Sequence, residues 1–399
     1  MCKNYLIIGA SAAGIGCALR LRMLDADATI TVLNAEAELP YNKCLLADVL
    51  LQEKSLAEIT FCSEAMLVQK RIELVCNARV VAVDPEHKII RTMDGRTFAY
   101  DSLCIATGRS PRMLSLFKDV YVTNLFNFYY KNDLEKIINY TKQFKVCSAV
   151  VIGAGLTGLE AADGLRARGL AVTIVEAAEH LLPSLVNQRA AAVVGKQVAQ
   201  AGVSLLTSEI ITSYEQSDEC ITALHTYSGR TIQADLVVCA IGAGPNTSFL
   251  PVSLTVRDGY CIVDDSLQTS IPTTYAAGDC CMVYDQLSKR VQPSSLWPDA
   301  MQQGMCAAYG MVGQQKLYLG SVSIAASGFF GIKVAVAGPV SSLSHQRVEE
   351  LTGEHWYHRL VYEHDKLIGL MLIGNTSELS QYRRQLLTHS QSVYFLYET

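Results

Sequence analysis

Short apolar runs, each halted by small residues, set the pattern of the first half of the chain. Residues 5–9, YLIIG, read as a strand that runs into the small-residue stretch Ala10–Gly14. A helix is expected over about residues 12–24, and the apolar run ATITVL at 28–33 follows as a second strand. The order returns later. SAVVI at 148–152 leads into GAGLTG, a helix, and AVTIVE at 171–176. Both have the spacing of a β-α-β unit. FYYKNDLEKIINY, at 128–140, fits a helix between the two halves. Near the end, IKVAVAGPV, HRLVYEH and LIGLMLIG alternate apolar and polar positions, which predicts an antiparallel sheet with a helix or two.

The small residues between strand and helix have a chemical reading. In Gly9-Ala-Ser11-Ala-Ala13-Gly14 the first glycine permits a tight turn, and the small middle residue lets a pyrophosphate approach the backbone. The last glycine lets helix and strand pack closely, while the helix N-terminus offers amide hydrogens to phosphates. Ser11 stands where a third glycine is usual. An acidic group about 20 residues on should meet the ribose hydroxyls. Glu36 is favoured for this, with Asn34 as the fallback. The second turn is complete, Gly153-Ala-Gly155-Leu156-Thr157-Gly158, and its strand ends on Glu176. A carboxylate there accepts from a ribose diol and repels a 2′-phosphate, and the following AAEH holds no arginine to host one. NADH is therefore expected over NADPH.

The halves match beyond their glycines. DGRTFAYDSLCIATGRSP and SGRTIQADLVVCAIGAGP each carry a hairpin turn, a strand and a terminal glycine turn. Aligned on Gly95 and Gly229, seven of the seventeen positions to Pro111 and Pro245 are identical. Duplication of a nucleotide-binding module explains this, and two modules imply two dinucleotides.

Composition narrows the class. At 399 residues, two or three domains are expected. Half the residues are hydrophobic and the net charge is −5, which leaves no basic surplus for nucleic acid or anionic lipid. No apolar run is long enough for a membrane span, and no signal-peptide order opens the chain. The thirteen cysteines are odd in number and form no CxxC. With Cys104, Cys147 and Cys239 in or beside apolar runs, buried free thiols in a reducing cytoplasm are expected. Cys280 and Cys281 lack companions at ligand spacing and read as packing residues rather than a metal site.

Residues 263–281, VDDSLQTSIPTTYAAGDCC, and 294–314, SSLWPDAMQQGMCAAYGMVGQ, add specificity to ATGRSP and GAGLTGLE. Together they resemble the pyridine nucleotide-disulfide oxidoreductase superfamily, most of all its FAD-dependent NADH:rubredoxin reductase, nitrite-reductase flavin-domain and NADH oxidase-like branch. The resemblance implies an α/β, glutathione-reductase-like fold: two three-layer Rossmann-like nucleotide-binding domains and a small α+β C-terminal domain. FAD would be held by residues 1–118 and 242–318, NAD(H) by 119–241, with an interface-like domain at 319–399. It further implies FAD contacts from Gly9, Ser11, Ala13, Gly14, Gly278 and Asp279, with Val80 near the adenine. NAD(H) falls to Gly153, Gly155, Leu156, Thr157, Gly158 and Glu176, and Glu160 lies beside the flavin–nicotinamide contact. Leu296, Trp297 and Pro298 are candidates to meet the flavin ring, and Thr107, Gly108, Arg109 and Gly242 complete the contact set. After Asp279 the family's chain turns into a helix.

Tyr41-Asn42-Lys43 resembles the family's Pro-Tyr-x-Arg stretch. Lys43 would stabilise the charge of reduced flavin, or is simply a solvated lysine at a helix start. Cys44 is similar in place to a single redox cysteine of the NADH oxidase and coenzyme A-disulfide reductase branch. A helix N-terminus and the neighbouring lysine would lower its pKa; the alternative is a residue filling space under the flavin. The leading expectation is an enzyme passing electrons from NADH through FAD to a small redox protein or partner reductase. A Cys44-dependent reductase of disulfide, persulfide, peroxide or oxygen is the second. A redox-regulated binding module is the third. A monomer or homodimer is expected.

Overall fold

The two glycine turns each sit at the end of the central strand of a five-stranded parallel sheet. A computed structural model describes residues 2–339, 341 and 344–388. In the first sheet the order is Thr274–Ala276, Ser102–Ile105, Asn4–Ile8, Thr29–Leu33, Glu73–Val75. Leu6 lies opposite Thr31 on one side and Leu103 on the other. The helices Ala12–Leu24 and Trp297–Met311 pack against each other and this sheet. They meet closely because a Cβ on Gly304 would lie 1.9 Å from the Ala13 carbonyl oxygen.

The second sheet repeats the plan with Ser204–Leu206, Ala171–Val175, Ser148–Ile152, Leu236–Cys239 and Leu125–Asn127. Its outermost strand comes from the segment before the repeat, whereas that of the first sheet returns from far downstream. Along Ser148–Ile152, Ala149 and Val151 enter the core shared with the helices Leu156–Ala167 and Gln188–Gln200. Val150 and Ile152 point into another, closed by Ile221 and Leu224 of a three-stranded meander. Both faces are buried, which is why the strand reads as one apolar run. The matching meander of the first half, Val80–Asp84, Ile89–Thr92 and Thr97–Ala99, contributes Val83 and Ile90 to the first core.

Arg109–Pro111 and Ala243–Pro245, the terminal turns of the two matched segments, pair with each other antiparallel. Pro111 faces Ala243, Ser110 faces Gly244 and Arg109 faces Pro245.

A five-stranded antiparallel sheet follows, ordered Ile324–Phe329, Ile332–Ala337, Lys366–Gly374, Tyr357–Glu363, Arg347–Thr352. Val334 and Val336 on one face pack into the core of the second parallel sheet, while Ala335 and Ala337 on the other form a separate small core. The helix Leu379–Thr388 closes the described chain. Val340, at the end of IKVAVAGPV, and residues 389–399 lie outside the described residues.

Two expectations change. The chain past Asp279 enters a strand, Cys281–Asp285, rather than a helix, because Cys281 and Met282 pair with Cys261 and Ile262. Cys104, Cys239, Cys280 and Cys281 are buried free thiols, but Cys147 is exposed because it precedes the sheet strand rather than joining it. Among the described residues, no helix is long and apolar enough to cross a membrane.

The turns themselves rest on missing side chains. A Cβ on Gly14 would lie 1.8 Å from the Gly9 carbonyl oxygen, and one on Gly158 would lie 2.0 Å from that of Gly153. Around Gly155 there is open space, and its φ of −73° suits any residue. Gly158→Ala should therefore cost about 3 kcal/mol of stability, whereas Gly155→Ala should stay within about 1 kcal/mol of the parent. Chemical unfolding midpoints of the two variants test the contrast.

Candidate active site

Both turns open into one cavity of about 1900 Å³. Pockets for single small ligands span roughly 300–1,000 Å³, so this one has room for more than a single compact molecule. Its wall includes Gly9, Ser11, Ala13, Thr107, Gly108, Arg109, Gly278 and Asp279 from the side of the first sheet. Gly153, Gly155, Leu156, Thr157, Glu160 and Gly242 come from the second. Asn34, Glu36, Lys43, Cys44, Val80, Glu176, Leu296 and Trp297 line it as well.

Three candidates do not. Gly14 and Gly158 lie beneath the turns, where their role is close packing. Pro298 is exposed at the start of the Trp297–Met311 helix, a position where a missing N–H is harmless. It is corrected from a wall residue to a helix-start residue. Trp297 meets the edge of Phe61 at 5.1 Å between ring centres.

At the first strand end, Glu36 accepts from the Tyr41 hydroxyl (2.7 Å) and from Lys43 Nζ (3.0 Å). Asn34 is spent on its own loop, donating to the Glu38 carbonyl and accepting from the Glu36 amide. Lys43 is no solvated lysine. Its Nζ lies 4.3 Å from the centre of the Tyr130 ring and 5.2 Å from that of Tyr129, an aromatic seat for a cation. The FYY run had shown itself only as the start of a helix, Lys131–Gln143, so these rings were missed.

Cys44 opens onto the cavity, but the expected lowering of its pKa is reversed. Burial, then the charges of Glu160 and Asp279, push the thiol up to about 11. The helpers named from sequence are already committed. Asn42 Oδ1 accepts the Cys44 amide at 3.0 Å, and Lys43 is paired with Glu36. Cys44 also lies inside a short 3₁₀ turn, Lys43–Leu45, rather than ahead of a long helix.

At the second strand end, Glu176 Oε2 accepts from the Ala154 amide (2.7 Å) and Oε1 from the Ala178 amide (2.8 Å). The carboxylate is thereby aimed across the mouth of its own glycine turn. Glu160, on the helix behind that turn, is raised to about 7 by burial; Ser327 opposes the rise and Asp48 adds to it. Ser327 Oγ donates to Glu160 Oε1 at 2.5 Å. The strand carrying Ser327 is pinned to the same helix, since the Phe330 amide donates to Asp163 Oδ2 at 2.6 Å. Ser327 had no local signal in the sequence.

Asp279 is raised to about 6 by burial, against the pull of Arg109 and Lys43. Arg109 donates to Ser295 Oγ (2.9 Å) and to the Ala243 carbonyl, and its Nε is buried without a hydrogen-bond partner among the described residues. Both glycine turns, the strand-end carboxylates and an incompletely bonded guanidinium line one space.

Residues 3–304 match the family model for pyridine nucleotide-disulphide oxidoreductases. The chain belongs to this family. Among its oxidoreductase relatives is the assimilatory nitrate reductase electron transfer subunit of Bacillus subtilis, 30% identical over 94% of this chain and 48% of that protein. Another is the rubredoxin-NAD(+) reductase of Pseudomonas putida, 30% identical over 69% of this chain and 71% of that one. The chain spans about half the length of the Bacillus subtilis relatives it matches. A solved ferredoxin reductase for the CYP199A2 system of Rhodopseudomonas palustris superposes with a TM-score of 0.86, covering 98% of this chain and 96% of that one at 26% identity. The mixed α/β architecture of two nucleotide-binding sheets is that of these reductases.

Burial gives the site a pH signature. The folded chain holds protons on Glu160 and Asp279 above their ordinary values of 4.5 and 3.8. Stability from these groups is thus full at acid pH and falls as pH rises, until about 6 for Asp279 and about 7 for Glu160. Glu160→Gln should flatten the last part of that fall, measured as the ligand-free unfolding temperature between about pH 5 and 7.

Proposed function

We propose that the chain is an NADH-dependent flavoprotein reductase, with FAD under the first glycine turn and NADH under the second. Electrons leave to a small redox protein or partner reductase. The observation that carries this reading is the single cavity lined by both turns, which lets two extended ligands meet inside it. The residues present fit both groups. Ser11 begins the Ala12–Leu24 helix with no capping bond of its own, leaving that helix end to a phosphate. Gly155 leaves the space a Cβ would fill. Arg109 Nε and the buried Asp279 carboxyl supply a donor and an acceptor along the first ligand's path.

When bound, a flavin accepts a hydride from reduced nicotinamide and releases electrons singly or in pairs. The protein's share is orientation, exclusion of water and charge. Glu176 accepts from the ribose diol, and Glu160, steadied by Ser327, holds a proton near neutral pH where the two halves meet. Ala325, Ala326 and Gly328 are small enough to let a ring lie against their strand, while Leu296 and Trp297 close the opposite wall. Orientation of this kind replaces a chance encounter. The names of the relatives, an electron transfer subunit and a rubredoxin-NAD(+) reductase, support the choice of acceptor class.

A thiol reductase centred on Cys44 is the second reading, favoured by that residue's opening onto the cavity. Its raised pKa leaves little thiolate at neutral pH.

Purified protein should be yellow, bleach within seconds of anaerobic NADH addition, and regain colour on adding oxidised rubredoxin. Protein that stays colourless and refuses added FAD would end the reading. Glu176→Ala should raise the KM for NADH roughly tenfold with kcat little changed, the cost of hydrogen bonds to a charged acceptor. Cys44→Ser should leave NADH turnover intact with every acceptor; loss confined to disulfide or persulfide substrates would favour the thiol reading instead.

A further inference from the structure

We propose that Glu209, by holding Arg230, is a second determinant excluding 2′-phosphorylated dinucleotides from the site. This rests on the reductase reading and deepens it. Glu209 lies thirty-three residues after Glu176 but beside it in space, because its amide donates to the Glu176 carbonyl at 3.0 Å. The preceding residue repeats the stitch, the Ser208 amide donating to the Ala178 carbonyl at 2.9 Å. Glu209 is therefore part of the same rim of the cavity, and it lines the wall with Ile210. Ile210 is 55% exposed and bonded through its carbonyl to Tyr227, itself 83% exposed, giving an apolar ledge of the kind a base covers.

The chemistry of the rim is unusual in its pairing. Glu209 Oε1 accepts from Ser228 Oγ (2.5 Å) and forms an ion pair with Arg230 Nε (3.1 Å), while Oε2 is buried with no hydrogen-bond partner among the described residues. Arg230 comes from the hairpin turn between Cys220–Thr226 and Thr231–Gln233. It is the arginine missing from the segment that follows Glu176. An arginine fork binds phosphate in bidentate fashion, so its presence at this rim would ordinarily favour a 2′-phosphate. Glu209 reverses that. Its carboxylate pairs with the guanidinium and offsets its charge, so an incoming phosphate meets Glu176 and a cation already engaged. A ribose diol, which can donate to the carboxylates and carries no charge, meets no such penalty.

The probes are ADP-ribose and its 2′-phosphate, titrated by calorimetry into the intact protein, so that no turnover is needed. Wild-type protein should prefer ADP-ribose. Glu209→Gln keeps the shape and removes the charge; it should shift the affinity ratio roughly tenfold toward the 2′-phosphate, the equivalent of 1.4 kcal/mol. Adding Arg230→Ala should return the ratio to the parent's, because the freed guanidinium is gone. An unchanged ratio in Glu209→Gln, with its unfolding temperature preserved, overturns the proposal. So does a shift that survives Arg230→Ala. Wild-type protein that binds neither probe overturns the reductase reading and this inference together.

Discussion

The arrangement depends on one contact made twice, the last glycine of each turn pressed on the carbonyl of the first. Neither Gly14 nor Gly158 has room for a methyl group. That closeness draws the start of a helix down to the tip of the central strand. The helix amides then point along the strand axis into the cavity, where partial positive charge is useful to a phosphate. A wider crossing would tilt those amides away. The small residues that puzzle a reader of the linear chain are thus the geometric condition for every other group on the wall.

Around that condition the electrostatics are arranged by burial rather than by pairing alone. Glu160 and Asp279 are lifted toward neutral pH by the loss of water around them. Glu36 is held by Tyr41 and Lys43. Glu160 and Asp279 therefore take up protons at a higher pH than carboxyls in water do. The C-terminal sheet takes part in this. Through Asp163 and Phe330 it is tied to the helix behind the second turn, and through Ser327 it donates to the Glu160 carboxyl.

What the sequence disclosed was what local rules govern. The apolar runs became strands, the small-residue turns became turns, and the alternating C-terminal segments became an antiparallel sheet. Groups brought together by folding were beyond those rules. Ser327 and Glu160 are 167 residues apart in the chain. Glu209 comes to Glu176 only because two strands lie side by side. The direction of the Cys44 pKa shift was misjudged because burial and the charges of Glu160 and Asp279, which folding brings to it, outweigh the helpers visible in the sequence. Pro298 falls at the exposed start of its helix, a placement that nearness in a motif does not disclose.

The pairing of Arg109–Pro111 with Ala243–Pro245 has a further consequence. Ser110 and Gly244 are equivalent positions of the duplicated module, as are Arg109 with Ala243 and Pro111 with Pro245. In the ladder Ser110 faces Gly244, and each flanking pair joins one residue to the equivalent of the other's partner. That is the register of an isologous contact, with a local two-fold axis passing between Ser110 and Gly244. That local symmetry sets the two matched strand ends against each other at the wall of the cavity that both turns line.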